Sequence, residues 1–451
     1  MHDGSPAPTP APDTNTRHPD PRPSSSARPA EPANDVISGS LWRLPAMRLL
    51  ALYTLAGFTG FFATIAALPA WVAATGVSDT LAGFVTTTLL VATVSTQSIV
   101  PRLVARAGMT ATLAVGLAAL GAPSLLLLID GGYWWVLAIC ALRGIGFGAM
   151  TVLGAMLTAR IVPAARRGEA IGIYGLAIAV PNLLAVPGGV ALVSAGHFWA
   201  VALLGAAPLL GLPTVRALAR AARARADRPA RSPSPDTAPA AARASRRAAR
   251  RAALGPAVVL MVVTLTSGGF LTYLPIVRPD GALATLALLT WGGTGALTRW
   301  RAGVIADRSG LRILLPSASV LSIVGICVVA GGLLLGGPAD AAADTVASWL
   351  TILVGSAILG MGFGGTQNLT LLAAFMQARQ RETATVSSVW NIGFDTGTAI
   401  GSGLVGVMVL AMTIPAALAL TSVLIVASLP LAVRGARPPL PEPKPGPKPE
   451  R

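Results

Sequence analysis

Twelve apolar runs, most of them near twenty residues long, follow one another between positions 49 and 432 of this chain. Hydrocarbon offers no water to backbone N–H and C=O groups, so runs of this length cross a bilayer as helices. We read spans over 49–72, 80–100, 110–129, 133–157, 170–193 and 196–215, and then over 255–277, 281–300, 312–335, 347–375, 383–408 and 412–432. Charged residues make up 12% and the mean hydropathy is +0.67, against about 25% charged in soluble domains. The expected fold class is therefore an all-α integral membrane protein with about twelve transmembrane helices.

The flanks differ in composition. Residues 1–46 are rich in Pro, Ser and Ala without apolar periodicity and read as a disordered tail, as do the Pro-rich residues 434–451. The first apolar run starts too late and is too long for a secretory signal. Met47, directly before that run, is a second candidate start; a native peptide from upstream of it would rule this out.

The net charge of +16 is localised. Residues 216–251 hold eleven arginines against Asp227 and Asp236. Between membrane spans such a segment points to topology and anionic lipid headgroups rather than nucleic acid. Connections after odd-numbered spans carry Asp79, Asp130, Asp280, Asp340 and Asp344, with Arg278 their only basic residue. Connections after even-numbered spans carry Arg102 and Arg106, then Arg160, Arg166 and Arg167, the central segment, Arg299, Arg301, Arg308 and Arg312, and Arg379 and Arg381. By the positive-inside rule those connections and both termini are cytoplasmic. The implied division is a tail over 1–46, a six-helix half over 47–215, a basic loop over 216–253, a second half over 254–433 and a tail over 434–451.

Several chemistries are excluded or made unlikely. The two lysines, Lys444 and Lys448, lie in the C-terminal tail, so no phosphate-binding GxxxxGK[ST] loop exists and the chain carries no nucleotide-driven motor. His2, His18 and His197 cannot form the clusters of a zinc or haem site, and no cofactor is expected. Cys140 and Cys327 sit in apolar runs and read as small hydrophobes. One intramembrane acid, one Arg and no His argue against an enzyme.

An internal repeat is visible. Gly144-Ile-Gly-Phe-Gly148 in the fourth run returns as Gly360-Met-Gly-Phe-Gly364 in the tenth, 216 residues on, and Arg106-Ala-Gly108 returns as Arg308-Ser-Gly310, 202 residues on. Two six-helix halves joined by the basic loop account for both offsets, and parallel repeats place a substrate path between the halves. Glycine-rich motifs also arise wherever helices pack closely.

The segment Gly303-Val-Ile-Ala-Asp307-Arg308-Ser-Gly310-Leu-Arg312 resembles the GxLADRxGRR loop of the major facilitator superfamily, and the resemblance extends over about 47–432. It implies two pseudo-symmetric six-helix halves in the major facilitator fold, alternating access and a monomer. It also implies a gating latch at Gly303, Asp307, Arg308, Gly310 and Arg312, with Asp307 facing the start of the fifth helix near Arg166 and Arg167. The first-half counterpart keeps Arg102, Arg106 and Gly108 but has Pro101 for the first Gly and Ala105 for the Asp. A solvated turn carrying positive-inside arginines would look similar.

Two further motifs carry the same resemblance. Arg143, ahead of the glycine motif, is similar to the helix-four Arg associated with proton coupling in that family. A charge inside the bilayer costs at least about 2.5 kcal/mol, so it needs an interior partner or a water path, unless it snorkels to the surface. Asp395, in Trp390-Asn-Ile-Gly-Phe-Asp395-Thr-Gly397, resembles a helix-eleven stretch of efflux permeases, the drug–proton antiporter-like branch. An apolar setting disfavours the ionised carboxyl and suits a group that loads and releases a proton, with Arg143 as its electrostatic partner; a permanently paired Asp that only locks helices is the alternative.

The antiporter helix-five pattern GxxxGPxxGG is only partly matched, by Pro181, Asn182, Pro187, Gly188 and Gly189 at shifted spacing. Expected cavity residues are Phe58, Phe61, Phe147, Phe270, Tyr273, Phe363, Gln367, Asn368 and Asn391, the amides facing inward because amides in lipid need partners. The scarcity of fixed charge in the expected cavity argues against a strongly ionic substrate such as a sugar phosphate, which would need more than one Arg.

These readings combine into a secondary transporter of a small amphipathic or weakly polar molecule. It would work by proton-coupled efflux across a bacterial cytoplasmic membrane, the bacterial source being suggested by Arg-heavy, Lys-poor usage. Proton symport or facilitated uptake, and a transport-dead sensor or scaffold, are the other readings.

Overall fold

The computed structural model describes residues 1–4, 40–162, 166–226, 239–336, 346–377 and 383–435. The body begins at Ser40, and its described residues are helical with short connections and no strand.

The first span is α1 (Pro45–Ile65) continued by α2 (Ala67–Ala74). The joint follows from Pro69, which has no N–H for the Ile65 carbonyl; Thr86 donates its hydroxyl to that oxygen instead, at 3.1 Å. The second and third spans are two helices that meet at the non-helical Gly108, as the separate apolar runs predict, and are labelled together as α3 (Asp79–Leu125). Then come α4 (Gly132–Ile161) and α5 (Arg167–Ser194). The sixth span is composite: α6 (Phe198–Gly205), a 3₁₀ stretch over Ala207–Thr214 containing Pro208 and Pro213, and α7 (Val215–Ala226).

The second half consists of α8 (Pro239–Val277), α9 (Ala282–Ser309), α10 (Leu311–Leu335), α11 (Val346–Met376), α12 (Thr383–Met408) and α13 (Ile414–Gly435). Nine described segments are long and apolar enough to cross a membrane, and one of them, Asp79–Leu128, contains two passes. α9 and α12 complete twelve; their Arg, Asp, Asn, Ser and Thr residues lower their hydropathy.

Two boundaries differ from the sequence reading. Much of the expected basic loop is helical, because Ala and Arg are good helix formers: α7 buries Leu218, Ala219 and Ala222 and exposes Arg216, Arg220 and Arg223. The expected N-terminal tail is ordered from Ser40, where Leu41–Arg43 form a 3₁₀ turn. Leu41 is fully buried and its N–H donates to Glu169 Oε1 at 3.2 Å. Residues 5–39 and 436–451 lie outside the described residues.

The repeat is written into the packing. In the first half an added Cβ at Gly144 or Gly148 would meet the Leu89 or Thr93 carbonyl of α3, and one at Gly146 would meet Leu120 and Gly116 on α3's second pass. In the second half Gly360 and Gly364 face Trp291 and Gly295 of α9, and Gly362 faces Ser322 and Ala318 of α10. Each partner is displaced by 202 residues from its counterpart. The glycine motif therefore lets the fourth and tenth helices each approach two neighbours closely.

Gly108 (φ 81, ψ 161) and Gly310 (φ 77, ψ 150) share one conformation open essentially to glycine alone. Gly108→Ala is expected to lower stability by about 1–3 kcal/mol, visible as a reduced melting temperature of the detergent-solubilised protein. Gly188→Ala, a helical glycine with nothing within 4 Å of an added Cβ, should leave that temperature unchanged or raised.

Candidate functional site

α3 and α12 run antiparallel along the seam between the halves, and hydrogen bonds mark the seam in order. Tyr273 Oη on α8 donates to the Asp79 carbonyl at 3.1 Å and Thr80 to the Gly406 carbonyl at 2.7 Å. Thr87 then donates to the Ala399 carbonyl at 3.0 Å, and Gln97 Nε2 to Asp395 Oδ2 at 2.7 Å. From Asp79 to Gln97 this covers about 27 Å at 1.5 Å per residue. Close glycine contacts tighten the same end: a Cβ at Gly83 would strike Tyr273 and Ser402, and one at Gly281 would strike Ser194. Toward the arginine-bearing end, α8 and α12 of the second half line a cavity of about 550 Å³ with Arg250, Thr385, Ser388, Val389 and Ile392.

Asp395 is buried and midway along α12. Gln97, the amide opposite it, was not singled out by sequence reasoning, although an amide in an apolar run is the signal that selected Gln367. Its Nε2 also reaches Thr151 Oγ1 at 3.4 Å, while its Oε1 is buried with no hydrogen-bond partner among the described residues.

Arg143 is fully buried on α4 and does not snorkel. Its Nη2 donates to the Gly60 carbonyl at 2.8 Å and to Thr64 Oγ1 at 2.7 Å, both on α1. Nε and Nη1 have no partner among the described residues. The expected electrostatic pairing of Arg143 with Asp395 is not an ion pair here: among the described residues the one ion pair within 4.0 Å is Arg166–Glu169, and each member of the expected pair holds a different partner.

The aromatics form two groups. Phe61 and Phe147 stack in parallel with centroids 3.6 Å apart, and Phe58 meets Phe147 edge-on at 5.5 Å. In the second half Phe270, Trp291, Phe363, Phe394 and Trp390 form a chain with successive centroids 4.7–6.1 Å apart. Trp291, Phe394 and Trp390 join it from positions not anticipated, on α9 and α12. Trp291 Nε1 is buried and without an acceptor among the described residues.

Other expected cavity residues are placed elsewhere. Tyr273 belongs to the sealed seam. Gln367 accepts from Arg299 Nη1 at 3.0 Å and Asn368 donates to the Arg299 carbonyl at 3.0 Å, so both tie α11 to α9. Asn391 is exposed and bonds the Ser387 carbonyl one turn back on its own helix. On α5, Pro181 and Pro187 are buried within the helix, Asn182 is half-buried, Gly188 is open, and Gly189 packs on the Ala63 carbonyl of α1.

The gating motif is described in part. Arg102 and Arg106 are exposed, Gly303 lies near Asn368, and Arg312 is exposed on the first turn of α10. The side chains of Asp307 and Arg308, and hence the expected latch to the start of α5, lie outside the described residues. At that start Arg166 pairs with Glu169, an acid in the first turn where the helix dipole favours one. Among the described residues no group of three His, Cys, Asp or Glu side chains could hold a metal ion.

Twelve spans in two repeated halves, with buried polar groups on the seam between them, define a polytopic membrane transporter. A profile of the Major Facilitator Superfamily matches residues 50–402, and the chain belongs to that family. Its fold is similar to that of a bacterial homologue of the human lysosomal transporter Spinster, solved inward-facing and unoccupied (TM-score 0.64, 14% identity, 88% of this chain and 96% of that one). It is also similar to a POT family transporter in complex with 5-aminolevulinic acid (0.65, 12%, 86% and 96%) and to an auto-inhibited POT family peptide transporter (0.65, 14%, 86% and 96%). No curated protein matches the sequence.

Proposed function

We propose that this transporter exports a small amphipathic molecule in exchange for protons, with Asp395 as the proton carrier. The observation that carries the reading is the position of Asp395: buried on the second half and bonded across the seam to Gln97 of the first. An ionised Asp395 accepts the Gln97 amide N–H and leaves Gln97 Oε1 unsatisfied. A protonated Asp395 donates its O–H to that oxygen and closes a two-bond acid–amide pair, so a proton strengthens the contact that holds the halves together. Loss of the proton weakens that contact and frees the halves to rock.

The arginine-bearing end, where the cavity lies, is the cytoplasmic side by the positive-inside rule, with both termini there and the protein in a bacterial cytoplasmic membrane. The exposed arginines of α7 and of the first turns of α8 face anionic headgroups on that side. The protein acts as a monomer whose two halves, 47–215 and 254–433, move against each other.

Direction is tested by collapsing the pH gradient with an ionophore in cells loaded with a candidate substrate. Efflux by proton exchange predicts that the cellular content rises; a fall would replace export by symport.

A further inference from the structure

The cavity at the arginine-bearing end has a chemical character of its own. Thr385, Ser388, Val389 and Ile392 are spaced i, i+3, i+4, i+7 and form one stripe of α12, which leads one turn further to Asp395. Arg250 stands on the neighbouring α8. Arg250 and Ser388 are both exposed, and among the described residues Arg250 has no ion pair and Ser388 no hydrogen bond. Deeper in, Val389 and Ile392 offer aliphatic surface. A volume of about 550 Å³ lies within the range of small-molecule sites, about 300–1,000 Å³.

We propose that this cavity is an entry subsite for a soluble amphipathic monocarboxylate. The carboxylate oxygens take hydrogen bonds from the Arg250 guanidinium and the Ser388 hydroxyl, and the apolar body lies along Val389 and Ile392, directed toward Asp395. Arginine's planar fork matches a carboxylate, and one guanidinium neutralises one charge, so dianions are disfavoured. Bulk amines are disfavoured by like charge. The subsite rests on the reading that substrate passes this cavity, not on the proton step.

The test uses the full chain in phosphatidylcholine nanodiscs and titration calorimetry with 4-phenylbutyrate and its neutral isostere 4-phenylbutyramide, with empty nanodiscs as baseline. Wild type should bind the acid about tenfold more tightly than the amide, roughly the value of one charge-assisted pair. Arg250→Gln should erase that difference with amide binding unchanged, Arg250→Lys should keep part of it, and Ser388→Ala should weaken acid binding by about threefold. Equal binding of acid and amide by wild type, no binding of either, or a parallel loss of both in Arg250→Gln would overturn the proposal. Displacement of the acid by phosphatidylglycerol added to the nanodiscs would also overturn it, since the occupant would then be a lipid headgroup. The acid–amide difference persisting in vesicles that move no protons would sink the coupling reading alone; its absence beside intact proton movement would sink only the subsite.

Discussion

Asp395→Asn is expected to cut substrate-driven proton movement to under about a tenth of wild type while leaving the yield of folded protein unchanged. Asparagine is nearly isosteric and still hydrogen-bonds the Gln97 amide across the seam, so the contact between halves survives; what is lost is the group that takes up the proton. The measurement uses inverted vesicles with an acid interior and a fluorescent pH probe, wild type and variant at matched expression, and a panel of amphipathic compounds added singly. Proton release by some compound from wild-type vesicles alone establishes exchange. If the variant instead fails to accumulate as folded protein, Asp395 is a structural lock. Gln97→Leu gives the complementary view: the carboxyl remains but its acid–amide pair cannot close, so exchange should slow without vanishing.

Gly401→Leu should have the largest effect on folding. Gly393, Gly397 and Gly401 lie one turn apart on α12, and a Cβ at each would meet in turn the carbonyl oxygens of Ala257, Met261 and Leu265, one turn apart on α8. These are backbone atoms, which cannot swing aside as a side-chain tip would. A Leu at 401 must therefore separate the two helices along their whole contact, and little monodisperse protein should be recovered. Gly401→Ala should cost about 1–3 kcal/mol as an overpacking change, whereas Gly393→Ala, whose Cβ would stand 3.0 Å from the Ala257 carbonyl oxygen, should be milder. Recovery after size exclusion and the melting temperature report both; equal recovery of Gly401→Leu and wild type would contradict the close α8–α12 contact.

The parts of this fold governed by local composition were legible from the sequence. Apolar length gave the spans, and the paired glycine motifs gave the two halves, because a glycine forced by close helix approach must recur wherever that approach recurs. The joint between the second and third spans was legible as well: Arg106-Ala-Gly108 repeats Arg308-Ser-Gly310, and both glycines hold the same glycine-only conformation between two helices. Asp395 and Arg143 stood out because a charge in lipid is costly wherever it points. Their partners did not, since Gln97 is nearly 300 residues from Asp395 in sequence and only the antiparallel course of α3 and α12 brings them together. The same applies to Trp291, an ordinary apolar residue until packing threads it into the chain of rings.

The glycine rail between α8 and α12 also supplies a ruler. With backbone against backbone at three points over about two turns, a pair of spin labels placed on the lipid-facing sides of these two helices should report a single narrow distance throughout the transport cycle. Labels on α3 and α12, which lie on opposite halves and are held by hydrogen bonds across the seam, should report two. The first pair is thus a built-in calibration standard for the second, and any broadening it shows is a property of the probe and not of the protein.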